Sequence, residues 1–148
     1  MSSIAIADTN ALYRLLVHSA TDNAAHRKAF SAVGHMVISP MVMAELDYLV
    51  TTKVGARAAY NALDFLAKGA ERRKFSIPDV APHTRTAMTV LEAYRGADGG
   101  RGIGLADAMN VALAAAYRTN VMFTTDRHFR MVRPLTGHEA FRLLPDDM

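Results

Sequence analysis

The sequence predicts an α/β fold built on a short, mainly parallel sheet, and three observations carry that expectation. Short apolar runs at residues 4–7, 35–39, 75–77 and 120–123 alternate with longer stretches of helical period. The first and last of those runs stop abruptly on polar residues and an aspartate, the pattern of buried strands that emerge from one edge of a sheet. With 148 residues, 51% of them hydrophobic and 21% charged, the chain can bury a core without staples and is expected to form one domain over residues 1–148.

The first strand, Ile4-Ala5-Ile6-Ala7, ends on Asp8-Thr9-Asn10. The edge where parallel strands end is where open sheets bind ligands, so Asp8 is a candidate site residue; alternatively it opens a turn or caps the helix expected over 11–17. A second helix is expected over 22–33, with His26, Arg27 and Lys28 on its wetter side. The strand at 35–39 runs into Ser39-Pro40, a capping hydroxyl followed by proline at a first helical position. In the helix that follows, Met41, Val42, Leu46 and Leu49 form an apolar stripe and Glu45 falls inside it, whereas Asp47 points away. A carboxylate on the packed side of a helix is costly unless it is paired or binds a cation, which makes Glu45 the second candidate.

Residues 56–67 read as an amphipathic helix with Tyr60, Leu63 and Leu66 inward, and 71–74 as a wet connector. After a short strand at 75–77 comes a helix over 82–95 that directs Met88, Leu91 and Tyr94 to the core. Five glycines fall within residues 96–104, but the stretch follows a helix and lacks the phosphate-loop spacing, so it is expected to be a mobile loop whose Arg101 meets substrate. The helix over 105–118 buries Leu105, Met109, Ala112, Leu113 and Ala116, carries Asp107 in its first turn and places Asn110 near the same face. The strand ending at Phe123 then releases Thr124, Thr125 and Asp126, with Thr124 and Asp126 on one face, and a last short strand is expected near 141–144.

Asp8, Glu45, Asp107 and Asp126 thus stand at positions that a parallel topology can bring together. Like charges at close range raise one another's pKa, so such a cluster calls for divalent cations; oxygen-only ligation suits Mg²⁺ or Mn²⁺ rather than Zn²⁺. Carboxylate-held cations serve phosphodiester hydrolysis. No Ser-His-Asp or Cys-His arrangement competes: there is no cysteine, and the six histidines form neither an HExxH nor an HxH pair. His128 is assigned to the surface or a loop. Seventeen basic residues face fourteen acidic ones, and with four acids set aside in a cluster the remainder of the surface is distinctly basic, as a polyanion-cleaving protein needs. No stretch approaches a membrane span or a leader, so a cytoplasmic location is expected.

Asp8-Thr9-Asn10, Glu45-Leu46, Gly104-Leu105-Ala106-Asp107-Ala108 and Thr124-Thr125-Asp126-Arg127 resemble the four acidic motifs of PIN-domain ribonucleases, in the family's order. The tail, His128-Phe129 through Val132-Arg133-Pro134 to Leu143-Leu144-Pro145, is similar to VapC-type toxins of bacterial toxin–antitoxin pairs. The resemblance implies a three-layer α/β/α fold, Mg²⁺-dependent endoribonuclease activity, a homodimer, and a small antitoxin whose C-terminal segment blocks the site. It also implies that Asp8 and Asp107 are the main metal ligands, completed by Glu45 and Asp126. Asn10 and Thr124 would hold carboxylates in place, and Arg127 would be placed to meet phosphate. Two other readings stay open on the residues alone: a Mg²⁺ phosphohydrolase or phosphoacceptor with Asp8 as nucleophile, and a binding module that keeps the fold without the chemistry.

Overall fold

In the computed structural model, which describes residues 3–148, five strands form one parallel sheet in the order β3-β2-β1-β4-β5. The strands are β1 (Ile4–Ala7), β2 (His35–Ile38), β3 (Phe75–Ser76), β4 (Val121–Phe123) and β5 (Arg142–Leu144). Their two-residue period sorts the core into two layers. Ala5, Ala7, Met36, Ile38, Phe123 and Leu144 face one side, whereas Ile6, Val37, Met122 and Leu143 face the other. The first side is covered by α1 (Thr9–Leu16), α2 (Asn23–Ala32), α3 (Pro40–Lys53) and α4 (Ala56–Glu71); the second by α5 (Thr84–Ala93) and α6 (Leu105–Ala116). The result is the three-layer α/β/α arrangement.

Strand order positions the site. From β1 the chain proceeds outward through β2 to β3, then returns to place β4 on the other side of β1. The direction of winding therefore reverses between β1 and β4, and at such a switch point the loops leaving the two strands diverge and open a crevice at the sheet's C-terminal edge. Ile6 pairs with Met122 and Ala7 with Phe123, which brings Asp8 level with Thr124. The Asp8 amide donates to the Phe123 carbonyl at 2.9 Å, extending the pairing one residue beyond the strand.

Local chemistry sets the helix ends. The Asp8 and Ser39 side chains cap α1 and α3 by accepting from Thr9 N and Met41 N. The Asn23 amide donates to the carbonyls of Arg14 and Leu15, closing the C-terminal end of α1. Helix α6 is buried on every side from Ala108 to Ala114, a stretch that is apolar except for Asn110.

Several side chains stand elsewhere than the periodicity suggests. Tyr60, Met88, Leu105 and Ala116 are exposed, because α4 and α5 bury their alanine, valine and leucine positions instead and because Leu105 and Ala116 are the end residues of α6. His26 is buried rather than wet: α2 packs through Asn23, His26 and Ala29, and the His26 ring meets Phe123 edge-on. Helix α4 also continues past 67, so that Glu71, expected in a connector, is its last residue. That extension places Gly69 against Phe75, where an added Cβ would sit 2.0 Å from the ring. We expect Gly69→Ala to destabilise the fold by about 1–3 kcal/mol, the usual cost of overpacking, read as a lower urea midpoint at unchanged m-value.

Candidate active site

Four carboxylates delivered by four separate elements line one cleft of about 610 Å³: Asp8 after β1, Glu45 on α3, Asp107 in the first turn of α6 and Asp126 after β4. Asp8 is the deepest, only 4% exposed. Both of its oxygens are held, Oδ1 by the Thr9 amide at 2.8 Å and Oδ2 by the Thr124 hydroxyl at 2.7 Å. The same Thr124 oxygen accepts the Asp126 amide at 2.9 Å, so one hydroxyl ties the first acid to the backbone of the last. Asp8 therefore caps a helix and belongs to an acidic cluster at once; the two readings of it describe the same residue.

Glu45 departs from its expected surroundings. Helix α3 buries Val42, Leu46 and Val50, and Glu45 lies off that stripe, exposed at the cleft wall. Its Oε1 accepts the Thr9 hydroxyl at 2.6 Å, a contact that the sequence reading did not include, although Thr9 directly follows the first acid. Asp126 accepts the His128 amide at 2.9 Å as the cap of a short 3-10 turn over Arg127–Arg130. Asp107 has no hydrogen-bond donor among the described residues.

The electrostatics follow from this crowding. Burial pushes the Asp107 carboxyl up to about 7, and the charges of Asp8, Asp126 and Glu45 push in the same direction. Burial also raises Asp8, against the opposing hydrogen bonds of Thr124 and Thr9. Hard oxygen donors, close enough to disfavour one another's ionised forms and with one of them free of any donor, fit a divalent cation of the Mg²⁺ or Mn²⁺ class.

The remaining candidates separate. Thr124 contacts the carboxylate of Asp8, whereas Asn10 uses its amide oxygen to accept the Thr125 amide at 3.2 Å, gripping the loop backbone and not an acid. Asn110 is fully buried and does not line the cleft. Arg127 is exposed on the 3-10 turn, outside the cleft lining. Arg101 is directed away: the glycine-rich loop folds onto the end of α5, with Gly102 against Arg95, and Arg101 lines a separate hollow with Met88 and Leu91. The loop is itself organised, since Gly102 donates to the Ala97 carbonyl and Ile103 is buried.

His128, assigned to the surface or a loop, lies in the short turn over Arg127–Arg130, half-buried beside the cluster. Its Nδ1 lies 3.2 Å from Asp126 Oδ1 and its Nε2 3.7 Å from Asp98 Oδ2, and a ring nitrogen shares a volume under 4.8 Å across with carboxylate oxygens of Asp107 and Asp126. The signal was its two-residue spacing from Asp126, which the capped turn converts into proximity.

Raised carboxyl pKa values have a consequence for stability. Asp107 ionises near its ordinary 3.8 when unfolded and at about 7 when folded, so between those values the native state holds the extra proton. Metal-free protein should accordingly lose stability as pH rises from about 4 to 7. We expect Asp107→Asn to flatten that slope, and Mg²⁺ to restore stability increasingly towards the upper end of the window; thermal melts with chelator and with Mg²⁺ across that range provide the measurement.

A model of the PIN domain matches residues 5–133. Ribonuclease VapC26 of Mycobacterium tuberculosis is 38% identical over 143 residues, covering 95% of this chain and 99% of the relative. Among solved structures, the M. tuberculosis toxin VapC20, described as cleaving the sarcin–ricin loop, superposes with a TM-score of 0.72 at 20% identity, over 90% of this chain and 98% of that one. VapBC2 of Rickettsia felis, bound to a promoter DNA fragment, gives 0.64 at 18% identity, over 89% and 95%.

Proposed function

The chain belongs to the PIN-domain family, and from that premise we propose that it is an Mg²⁺- or Mn²⁺-dependent endoribonuclease hydrolysing RNA phosphodiesters at the four-carboxylate cleft. The observation that carries the reading is the convergence of Asp8, Glu45, Asp107 and Asp126 on one cleft in a chain 38% identical to a ribonuclease. When bound, a cation of this class supplies an activated water at neutral pH and offsets charge on the oxygens of an in-line displacement at phosphorus.

The chain's own residues divide the remaining work. Asp8 and Asp107 hold the cation, with Glu45 and Asp126 completing the acidic wall. Thr124 fixes the rotamer of Asp8, Thr9 tethers Glu45 across the cleft, and the turn amide at His128 aims Asp126. Hydrogen bonds of this kind keep the acids in position before any ligand arrives, so little reorganisation is needed on binding.

The VapC name of the 38%-identical relative and the four motifs support a wider reading as well. In it the protein is a single-domain toxin, homodimeric, working in the cytoplasm and restrained by a small antitoxin. Among the described residues no helix is long and apolar enough to cross a membrane, which is compatible with that setting.

Replacing Asp8 by Asn keeps the helix cap while removing a charge. We expect Asp8→Asn to abolish Mg²⁺-dependent RNA cleavage with unchanged circular dichroism; RNase activity of the parent in excess chelator, or full activity of the variant, would sink the proposal. An acid-labile phosphate on Asp8, detectable by mass, would point instead to the phosphoacceptor chemistry. Thr124→Val preserves side-chain shape but leaves Asp8 Oδ2 and the Asp126 amide without their shared partner. Activity or Mn²⁺ affinity should fall roughly 10- to 100-fold, the usual effect of removing a hydrogen bond behind a metal ligand, as titration calorimetry and a cleavage assay would report.

A further inference from the structure

Tyr48 is the most exposed of the large hydrophobic side chains described, at 75%, and it stands in the wall of the acidic cleft. Helix α3 makes its main core contacts through Val42, Leu46 and Val50, and Tyr48 itself packs against neither core layer. Tyr48 is three residues from Glu45, which puts the two side chains on neighbouring positions of one helix face, about 5–6 Å apart at Cβ. Leu49 and Ala44 line the same wall and make its rim apolar.

Two other tyrosines have a cation near the ring. A guanidinium, that of Arg57, lies 5.6 Å from the Tyr60 ring centre, and the Lys53 ammonium lies 5.5 Å from that of Tyr13. Among the described residues no cation or aromatic ring is stacked on Tyr48. A flat, uncovered ring beside a cluster of negative charges can supply what the cluster itself cannot. Carboxylates repel a phosphate chain until a cation is present, whereas the π-face of a base is neutral and gains by leaving water for an aromatic surface. Recognition of RNA favours just such single-stranded segments, whose unstacked bases lie against aromatic side chains.

We propose that Tyr48 is the stacking platform for a nucleobase adjacent to the phosphate held at the acidic site, an assignment that rests on the ribonuclease reading above. The ring binds substrate and takes no part in bond making; it contributes affinity that does not depend on base identity, and it holds the strand across the cleft beside Glu45.

The test uses full-length Asp8→Asn protein, which keeps the substrate intact, with a short fluorescein-labelled oligoadenylate and an abasic oligomer of equal length as probes in Mg²⁺. Adding Tyr48→Leu should weaken oligoadenylate binding on the order of tenfold, within the range for loss of one stacked base, and leave the abasic oligomer unaffected; Tyr48→Phe should retain binding. In otherwise wild-type protein, Tyr48→Leu should raise KM by a similar factor with little change in kcat. Equal binding of oligoadenylate with and without the ring, an equal loss for the abasic oligomer, or no oligoadenylate binding by the parent overturns the proposal. Unchanged RNA binding alongside weakened capture of a protein partner overturns it also. Failure of the ribonuclease reading registers separately, as absence of cleavage by the unaltered chain with Mg²⁺ or Mn²⁺, while the binding arm still reports on Tyr48.

Discussion

A carboxylate held almost out of water at the end of the central strand is the constraint around which this molecule is arranged. Burial favours the neutral form of Asp8, and three neighbours work against it: the amide of Thr9, the hydroxyl of Thr124 and the positive end of α1. Each depends on the sheet. Thr124 reaches Asp8 only because β4 lies directly beside β1, and α1 can begin at Thr9 only because the strand ends at Ala7. If β1 and β4 were separated, the most buried acid would lose its best hydrogen bond and its partner in the cluster together.

The four acids are not equivalent in their support, and the difference is chemical. Asp8, Glu45 and Asp126 each accept a hydrogen bond from the protein, which orients them. Asp107 accepts none among the described residues and carries the raised pKa near 7. Three oriented carboxylates and one that no donor holds make the arrangement on which the proposed cation site rests. The basic excess elsewhere on the chain supplies attraction for a polyanion that the cleft alone would repel.

Much of the fold was legible because its signals are local. Strand runs ending on acids, the Ser39-Pro40 start of α3 and the predominantly apolar α6 follow from period, capping and composition within a few residues. Orientation was less legible. The apolar stripe of α3, drawn through Met41, Val42, Leu46 and Leu49 so as to enclose Glu45, runs instead through Val42, Leu46 and Val50 and leaves Glu45 outside it, because α3 packs against both α1 and α4. His26 sits among charged neighbours in sequence, and only the approach of Phe123 from a distant strand explains its burial. Arg101 was misplaced for a related reason: the direction of a glycine-rich loop is set by what it packs on, here the end of α5.

By itself, then, the sequence determined the alternation of strands and helices, the identity of the four acids and their order along the chain, since these depend on side-chain type and short-range period. The tertiary structure alone decided that a threonine and an aspartate 116 residues apart share a hydrogen bond, that Glu45 faces the cleft and that His128 stands beside Asp126. Those outcomes turn on which strands become neighbours when both faces of the sheet are covered, a choice made by burial over the whole chain and encoded in no single stretch of it.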